Sequence, residues 1–313
     1  MRAGATRERF SQPFAKAFGG ISEKMKICYD ETLSVDGGKG GFRILYPVCD
    51  GFVEYNFVHS VVPEKNCDIW RMSVVNALDG SGAFLHRLTK GSAEWEMAVR
   101  LSDRPDFIGG FNHGDEIGRQ PSFSLDGKEV EPDELTAWRE FSRFEITVDS
   151  TGFDPAQPSL AVLEHRKRIL YNESGVHLEQ EVLWLEDAIL DGKFRSYLAM
   201  MPPLKHDPND VDRRITDSYS MGGEKLQGIE TLPVEKKGIQ TFTVQGTESA
   251  YRFTMSVEGY SPLYPNSYLA LLTDNGKHMN YHKMYIAFAG GAKDKVALGT
   301  KWHSVTHYSV EKL

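Results

Sequence analysis

Cysteine is scarce in this chain: Cys28, Cys49 and Cys67 are the whole complement of 313 residues, and no two of them form a CxxC pair. An odd count without paired spacing argues against a disulfide framework, and three free thiols are expected. Long apolar runs are also missing. No stretch of about 18 apolar residues occurs, so no membrane-spanning helix is expected. Residues 1–20 lack the apolar core of a signal peptide, which leaves the compartment open, export after removal of a leader included. Positive charge is in deficit, with a net charge of −8. That argues against nucleic acid and against an anionic membrane as partners, because both call for a basic surface. There is no Walker A loop, no GxGxxG after a strand, no HExxH and no GxSxG. Nucleotide use, zincin chemistry and the α/β-hydrolase mechanism lose their usual sequence support.

What is present has the texture of β-structure. Aromatic residues make up 11% of the chain, a level that suits strands or flat sugar-binding surfaces. Residues 42–47, 52–59 and 70–75 are short β-branched and aromatic runs separated by Gly, Asp, Asn and Pro. Residues 123–130 suggest a hairpin around Asp126-Gly127, and residues 131–140, with acidic residues at their start, suggest a helix of two or three turns. Residues 93–101 fit either a strand or one short helix.

The clearest hairpin runs from Ala161 to Trp184 and turns at residues 172–175, so that Tyr171 opposes Val176. Leu163, Ile169 and Tyr171 then share a face with Val176, Leu178, Val182 and Trp184, while Arg166 and Arg168 oppose Glu181 and Glu179 on the other. Near the end of the chain, Trp302, Ser304, Thr306 and Tyr308 alternate with His303, Val305, His307 and Ser309. Many short strands with turn punctuation predict an all-β protein. The expected form is a large antiparallel β-sandwich of jelly-roll or super-sandwich type with one or two short helices. Residues 1–24 are expected to be a mobile or weakly helical lead-in, and residues 25–313 a single domain. A long polar loop is expected at 202–217.

The chemistry concentrates in the stretch from Asp106 to Glu116, DFIGGFNHGDE. Three glycines let the backbone take positive φ and let a ligand approach it closely. Asn112, His113, Asp115 and Glu116 supply a neutral donor and acceptor, a group that titrates near neutrality, and two acids. One chemistry this inventory supports is β-elimination. His113 or a tyrosine removes a proton α to a sugar carboxylate, a second Tyr or His protonates the leaving oxygen, and Asn112 with an arginine stabilises the developing charge. Hydrolysis by a carboxylate pair is a second option, although the neighbours Asp115 and Glu116 would face apart on a strand. Calcium is a third, but the spacing matches no recognised loop, and no cofactor is expected.

The sequence Phe111-Asn112-His113-Gly114-Asp115-Glu116 after Gly109-Gly110, the closing pattern Gly299-Thr300-Lys301-Trp302 leading to Tyr308, and the aromatic run from Tyr281 to Phe288 resemble carbohydrate-active β-sandwich proteins. The families in question are the polysaccharide lyases and the galactose-mutarotase-like super-sandwich. The resemblance spans residues 93–308, with residues 109–116 its most specific part. It implies a sheet that binds a polysaccharide or oligosaccharide, with His and Tyr as acid–base groups and Asn or Arg neutralising a uronate. The expected function is that of a polysaccharide lyase. His113 is the expected base or acid, Asn112 the neutraliser, and Tyr171 or Tyr285 the proton donor. Arg166, Arg168, His165, His177 and Glu116 are expected to line the substrate groove. The alternatives are a non-catalytic glycan-binding or structural module, a glycoside hydrolase, and a sugar epimerase.

Overall fold

A computed structural model describes residues 24–35, 37–89, 95–205, 218–226, 233–245, 251–274 and 281–313. The lead-in up to residue 23 and most of the 202–217 loop fall outside the described residues. The principal strands, in chain order, begin with β1 (Met25–Val35), β2 (Gly38–Val48), β3 (Gly51–Val62) and β4 (Cys67–Asp79). After the single helical turn α1 (Gly110–His113) come β5 (Glu116–Gly118), β6 (Arg143–Asp154), β7 (Gln157–Asn172) and β8 (Gly175–Trp184). The chain continues with β9 (Arg195–Lys205), β10 (Ser218–Met221), β11 (Val234–Lys236) and β12 (Thr241–Gln245). It ends with β13 (Tyr251–Ser261), β14 (Ala270–Asp274), β15 (Tyr281–Gly290) and β16 (Lys301–Lys312). The expected all-β architecture is observed.

Three layers follow from the pairing. Strands β1 to β4 form consecutive antiparallel pairs. A wide main sheet runs β6-β7-β8-β16-β13-β12-β10, antiparallel throughout. Short β5 joins the two, parallel to β4 and antiparallel to β6, which closes the assembly along one edge. A separate four-stranded sheet has the order β9-β15-β14-β11.

Strand periodicity decides which face of the main sheet is buried. On β7, Leu163, His165, Lys167, Ile169 and Tyr171 are buried, whereas Glu164, Arg166 and Arg168 are exposed. Opposite them, Val176, Leu178, Gln180, Val182 and Trp184 of β8 point inward, as do Trp302, Ser304, Thr306 and Tyr308 of β16. Registers Tyr171–Val176, Arg166–Glu181 and Arg168–Glu179 are those read from the sequence. One end of this inner face packs on the first sheet through Phe42–Phe144 and Tyr55–Tyr171, with ring centroids 5.1 and 6.2 Å apart. The other end packs on the small sheet through Phe288–Trp302 at 4.8 Å and the hydrogen bond from Tyr260 OH to the Ile286 carbonyl. Each fully buried aromatic or aliphatic side chain in these seams contributes roughly 1.5–3 kcal/mol.

Two local expectations are corrected. The helix expected at 131–140 is only a 3₁₀ turn, Pro132–Leu135, started by a capping box between Glu131 and Glu134. It stops because Arg139–Phe141 pairs with Met25–Ile27 at the edge of β1, and that pairing takes the residues a longer helix would need. Residues 95–101 are neither strand nor helix; they cross between layers through isolated bridges to Tyr197, Ile108 and Leu190.

Candidate active site

Those bridges deliver the Asp106–Glu116 loop to the edge of the small sheet. Ala98 exchanges backbone hydrogen bonds of 3.0 and 2.8 Å with Tyr197 on β9, and Val99 does so with Ile108 at 2.9 and 2.8 Å. The loop then turns on glycine. A Cβ at Gly109 (φ 101°) would lie 2.6 Å from the Met97 carbonyl oxygen, and one at Gly114 (φ 82°) would lie 2.1 Å from that of Lys65. Only a residue without a side chain fits both the conformation and the space. The turn α1 is closed by Gly114 N–H donating to Gly110 O at 3.0 Å, and Lys65 Nζ caps it by donating to Asn112 O at 2.7 Å. Phe111 is held under the Arg71 guanidinium, 4.4 Å from its ring centre.

Glu116 anchors the far end of the loop inside the protein. It is 1% exposed and receives Ser150 Oγ at 2.6 Å, His165 Nδ1 at 3.0 Å and Gly110 N–H at 3.2 Å. Burial alone would push its carboxyl up. The Lys167 ammonium, with the His165 and Ser150 hydrogen bonds, outweighs that and holds it far below the usual carboxylate range. Lys167 itself donates to Glu96 at 2.8 Å and stays charged for the same reason. His165 Nε2 lies 3.1 Å from Gln180 Oε1, whose amide donates to the Leu198 carbonyl. This buried polar layer ties loop, main sheet and small sheet together.

The exposed part of the loop carries the reactive geometry. Asp106 Oδ1 lies 2.7 Å from His113 Nδ1 and is fixed by the Phe107 N–H, also at 2.7 Å. A carboxylate in that position favours the tautomer with its proton on Nδ1. The Phe107 ring packs 4.8 Å from that of His113. On its other side, Phe107 joins Tyr285 against the cluster of Ala98, Tyr197, Met200, Leu269 and Ala287. Tyr285 stacks on Tyr197 with centroids 4.4 Å apart. The Arg100 guanidinium lies 5.1 Å from the ring centres of both Phe107 and Phe194. A carboxylate-oriented imidazole, a guanidinium and flat aromatic surfaces therefore share one patch. Such a set can move a proton at carbon or oxygen while rings pack against a sugar.

The residues expected from sequence separate into three places. Asn112 and His113 stand on this loop, with Tyr285 beside it on the small sheet. Glu116, His165 and Tyr171 are interior, outside the loop that carries His113. Tyr171 is wholly buried between Tyr55 and Phe144, with its hydroxyl pushed well above its ordinary pKa by that burial, so it cannot serve as a proton donor to substrate there. Glu116 and His165 bond each other at 3.0 Å. Arg166, Arg168 and His177 occupy the outer face of the main sheet, away from the loop. There Arg166 grips Asp149 at 2.7 and 3.1 Å, Arg168 grips Glu145 at 2.9 and 3.0 Å, and the His177 ring packs at a tilt against that of His307, with centroids 4.5 Å apart. That face also holds a cleft of about 310 Å³ lined by Arg119, Glu164, Arg166, Glu181, Lys301 and His303 among others. Asp115 and Glu116 do face apart, Asp115 Oδ1 lying 3.4 Å from Asn66 Nδ2. Among the described residues, no group of three or more His, Cys, Asp or Glu side chains is arranged to hold a metal ion. Sequence reasoning missed Asp106 as the partner of His113 and missed Arg100 altogether. The signal for Asp106 was its place at the head of the glycine-rich stretch; for Arg100 the sequence carried none.

No protein-family model matches the chain, and no curated protein matches it. Among solved structures, it is similar to a galactose mutarotase-like protein from Clostridium acetobutylicum. The two are 10% identical, the alignment covers 93% of this chain and 100% of that one, and the TM-score is 0.40.

Proposed function

We propose that this protein is a carbohydrate-active acid–base enzyme that cleaves a uronate-containing glycan by β-elimination at the Asp106–His113 pair. The observation that carries the reading is the 2.7 Å contact between His113 Nδ1 and Asp106 on a glycine-built loop flanked by aromatic rings. In this reaction His113 Nε2 takes the proton α to the sugar carboxylate. The electrons of that C–H bond form the new double bond as the glycosidic C–O bond breaks. The leaving oxygen then gains a proton, from Tyr285 or from the imidazolium just formed. Asp106 keeps the imidazole in its reactive tautomer and stabilises the charged ring. Asn112, one residue away, is the proposed donor to the developing enolate.

The test is an ultraviolet assay for the unsaturated product against a panel of acidic polysaccharides. His113→Ala is expected to lower turnover by roughly 10²- to 10⁴-fold, with a smaller loss for Asp106→Asn. New reducing ends without a double bond would replace elimination by hydrolysis. The second reading is a glycan-binding module, and it rests on the aromatic patch of Phe107, Phe194 and Tyr285. It predicts that glycan is bound and never cleaved, with binding unaltered in His113→Ala.

A further inference from the structure

Among the described residues, His59, His113, His165 and His303 each lie against a carboxylate. His177 and His307 are held differently. They pair across β8 and β16 on the outer face of the main sheet, with ring centroids 4.5 Å apart and planes inclined by 36°. Both Nε2 atoms converge on Ser174 in the β7–β8 turn. That of His307 lies 2.7 Å from the Ser174 carbonyl oxygen, and that of His177 lies 2.8 Å from Ser174 Oγ. A carbonyl oxygen only accepts, so His307 donates from Nε2. Ser174 Oγ gives its own proton to Asn172 Oδ1 at 2.7 Å, so it accepts from His177 Nε2. Each neutral ring therefore keeps its lone pair on Nδ1, and among the described residues no hydrogen bond engages either Nδ1.

The anchor of this arrangement is itself fixed. Ser174 N–H donates to Asn172 Oδ1 at 3.0 Å, and Tyr46 OH donates to the Gly175 carbonyl at 2.9 Å. A ring N–H given to a protein oxygen, with the other nitrogen left open, is how metal-binding histidines are oriented. Two nitrogens each about 2.0–2.1 Å from one ion are at most about 4.2 Å apart, close to the separation of these ring centres. Glu258, exposed on neighbouring β13, is near enough to act on the charge of His177 and to favour a cation there.

We propose that His177 and His307 form a two-imidazole site for a divalent transition-metal ion, bound through Nδ1 of each ring with water in its remaining positions. Zinc, copper and nickel take imidazole, whereas magnesium and calcium take oxygen sets. The bonds are made by neutral lone pairs, so the matched ion pairs elsewhere on this face do not oppose them. An ion held there ties β8 to β16 and adds to the stability of the folded chain. The site stands apart from the Asp106–His113 loop and does not depend on the reaction proposed for it.

The test titrates the intact chain with nickel, followed by NMR broadening of the imidazole signals, and with zinc, followed by calorimetry; magnesium is the control. Nickel is expected to broaden His177 and His307 before any other histidine. Zinc is expected to bind one ion per chain and raise the melting temperature, and magnesium to do neither. His177→Gln and His307→Gln should each weaken zinc by roughly 10-fold or more, and Ser174→Ala, which keeps both ligands but frees His177, by roughly 10-fold. His303→Gln, one rung away, should leave zinc binding unchanged. All four positions are at the surface, and melting without metal confirms that the variants fold. Broadening that begins at other histidines overturns the proposal, as does zinc affinity that survives in the folded His177→Gln and His307→Gln chains. Zinc affinity unaltered in Ser174→Ala overturns the assignment of Nδ1 as the binding atom.

Discussion

The outer face of the main sheet and the loop at its edge use similar residues to opposite ends. On the outer face, cations and carboxylates satisfy one another: Arg166 with Asp149, Arg168 with Glu145, His303 with Glu179 at 3.0 Å. Hydrogen bonds from those arginines, set against partial burial, hold Asp149 and Glu145 below their ordinary pKa values. In the loop, Asp106 is shared between His113 and a backbone N–H, while Arg100 beside it keeps only a 4.0 Å ion pair to Asp106 from Nη1 and has no acceptor at Nε. A surface whose charges are matched internally has little electrostatic interaction left for a ligand. One whose charges are fixed but only partly matched has it in reserve. Richness in charge alone therefore does not mark the candidate site; a carboxylate-held imidazole on a glycine-built loop does.

The largest expected effect compares two neighbours on β7 that point to opposite faces. Lys167→Met leaves Glu96 and Glu116 buried without their cation and is expected to destabilise the protein by about 3–5 kcal/mol in urea unfolding. Arg168→Ala, one residue on, removes a solvated pair and is expected to cost at most about 1 kcal/mol. Equal losses for the two would erase the distinction between buried layer and outer face.

Next comes the backbone. Gly114→Ala forces a Cβ to within 2.1 Å of the Lys65 carbonyl at φ 82°, and about 1–3 kcal/mol of strain is expected together with loss of the His113 geometry and of turnover. Gly127→Ala, in the Asp126-Gly127 hairpin at φ 81°, meets nothing within 4 Å and is expected to cost about 1 kcal/mol with turnover unchanged. If Gly114→Ala keeps full turnover, the loop does not need its present shape for function.

What the sequence made legible follows the same physical division. Period-two alternation put Tyr171 with Leu163 and Ile169, and Arg166 with Arg168, on the faces where they are found, because one buried face enforces register. Alternation cannot say what covers a face, so it sets Tyr171 on the inner face without showing that Tyr55 and Phe144 close over it. The glycine spacing at 109–114 marked the loop because positive φ is written in residue type. The Asp106–His113 and Arg100–Phe194 contacts depend on how distant bridges fold that loop against β9, and no local pattern encodes them.

The smallest effect is in acid. Glu116, Glu145 and Asp149 all have lowered pKa values in the folded protein. Their stabilisation is therefore fully present above the unfolded carboxylate values of about 4 and is lost as pH falls below them. The contribution of these three carboxylates should be flat from about pH 7 to 5 and decline below about 4.5. Because Asp149 is partly exposed, Arg166→Ala should alter that decline only slightly. Because Glu116 is sealed inside, Lys167→Met should remove much of it, the carboxyl then being protonated in the folded state as readily as in the unfolded one. An acid decline that vanished in Arg166→Ala and persisted in Lys167→Met would place the decisive charges on the outer face, and the contrast between the two regions would have to be reversed.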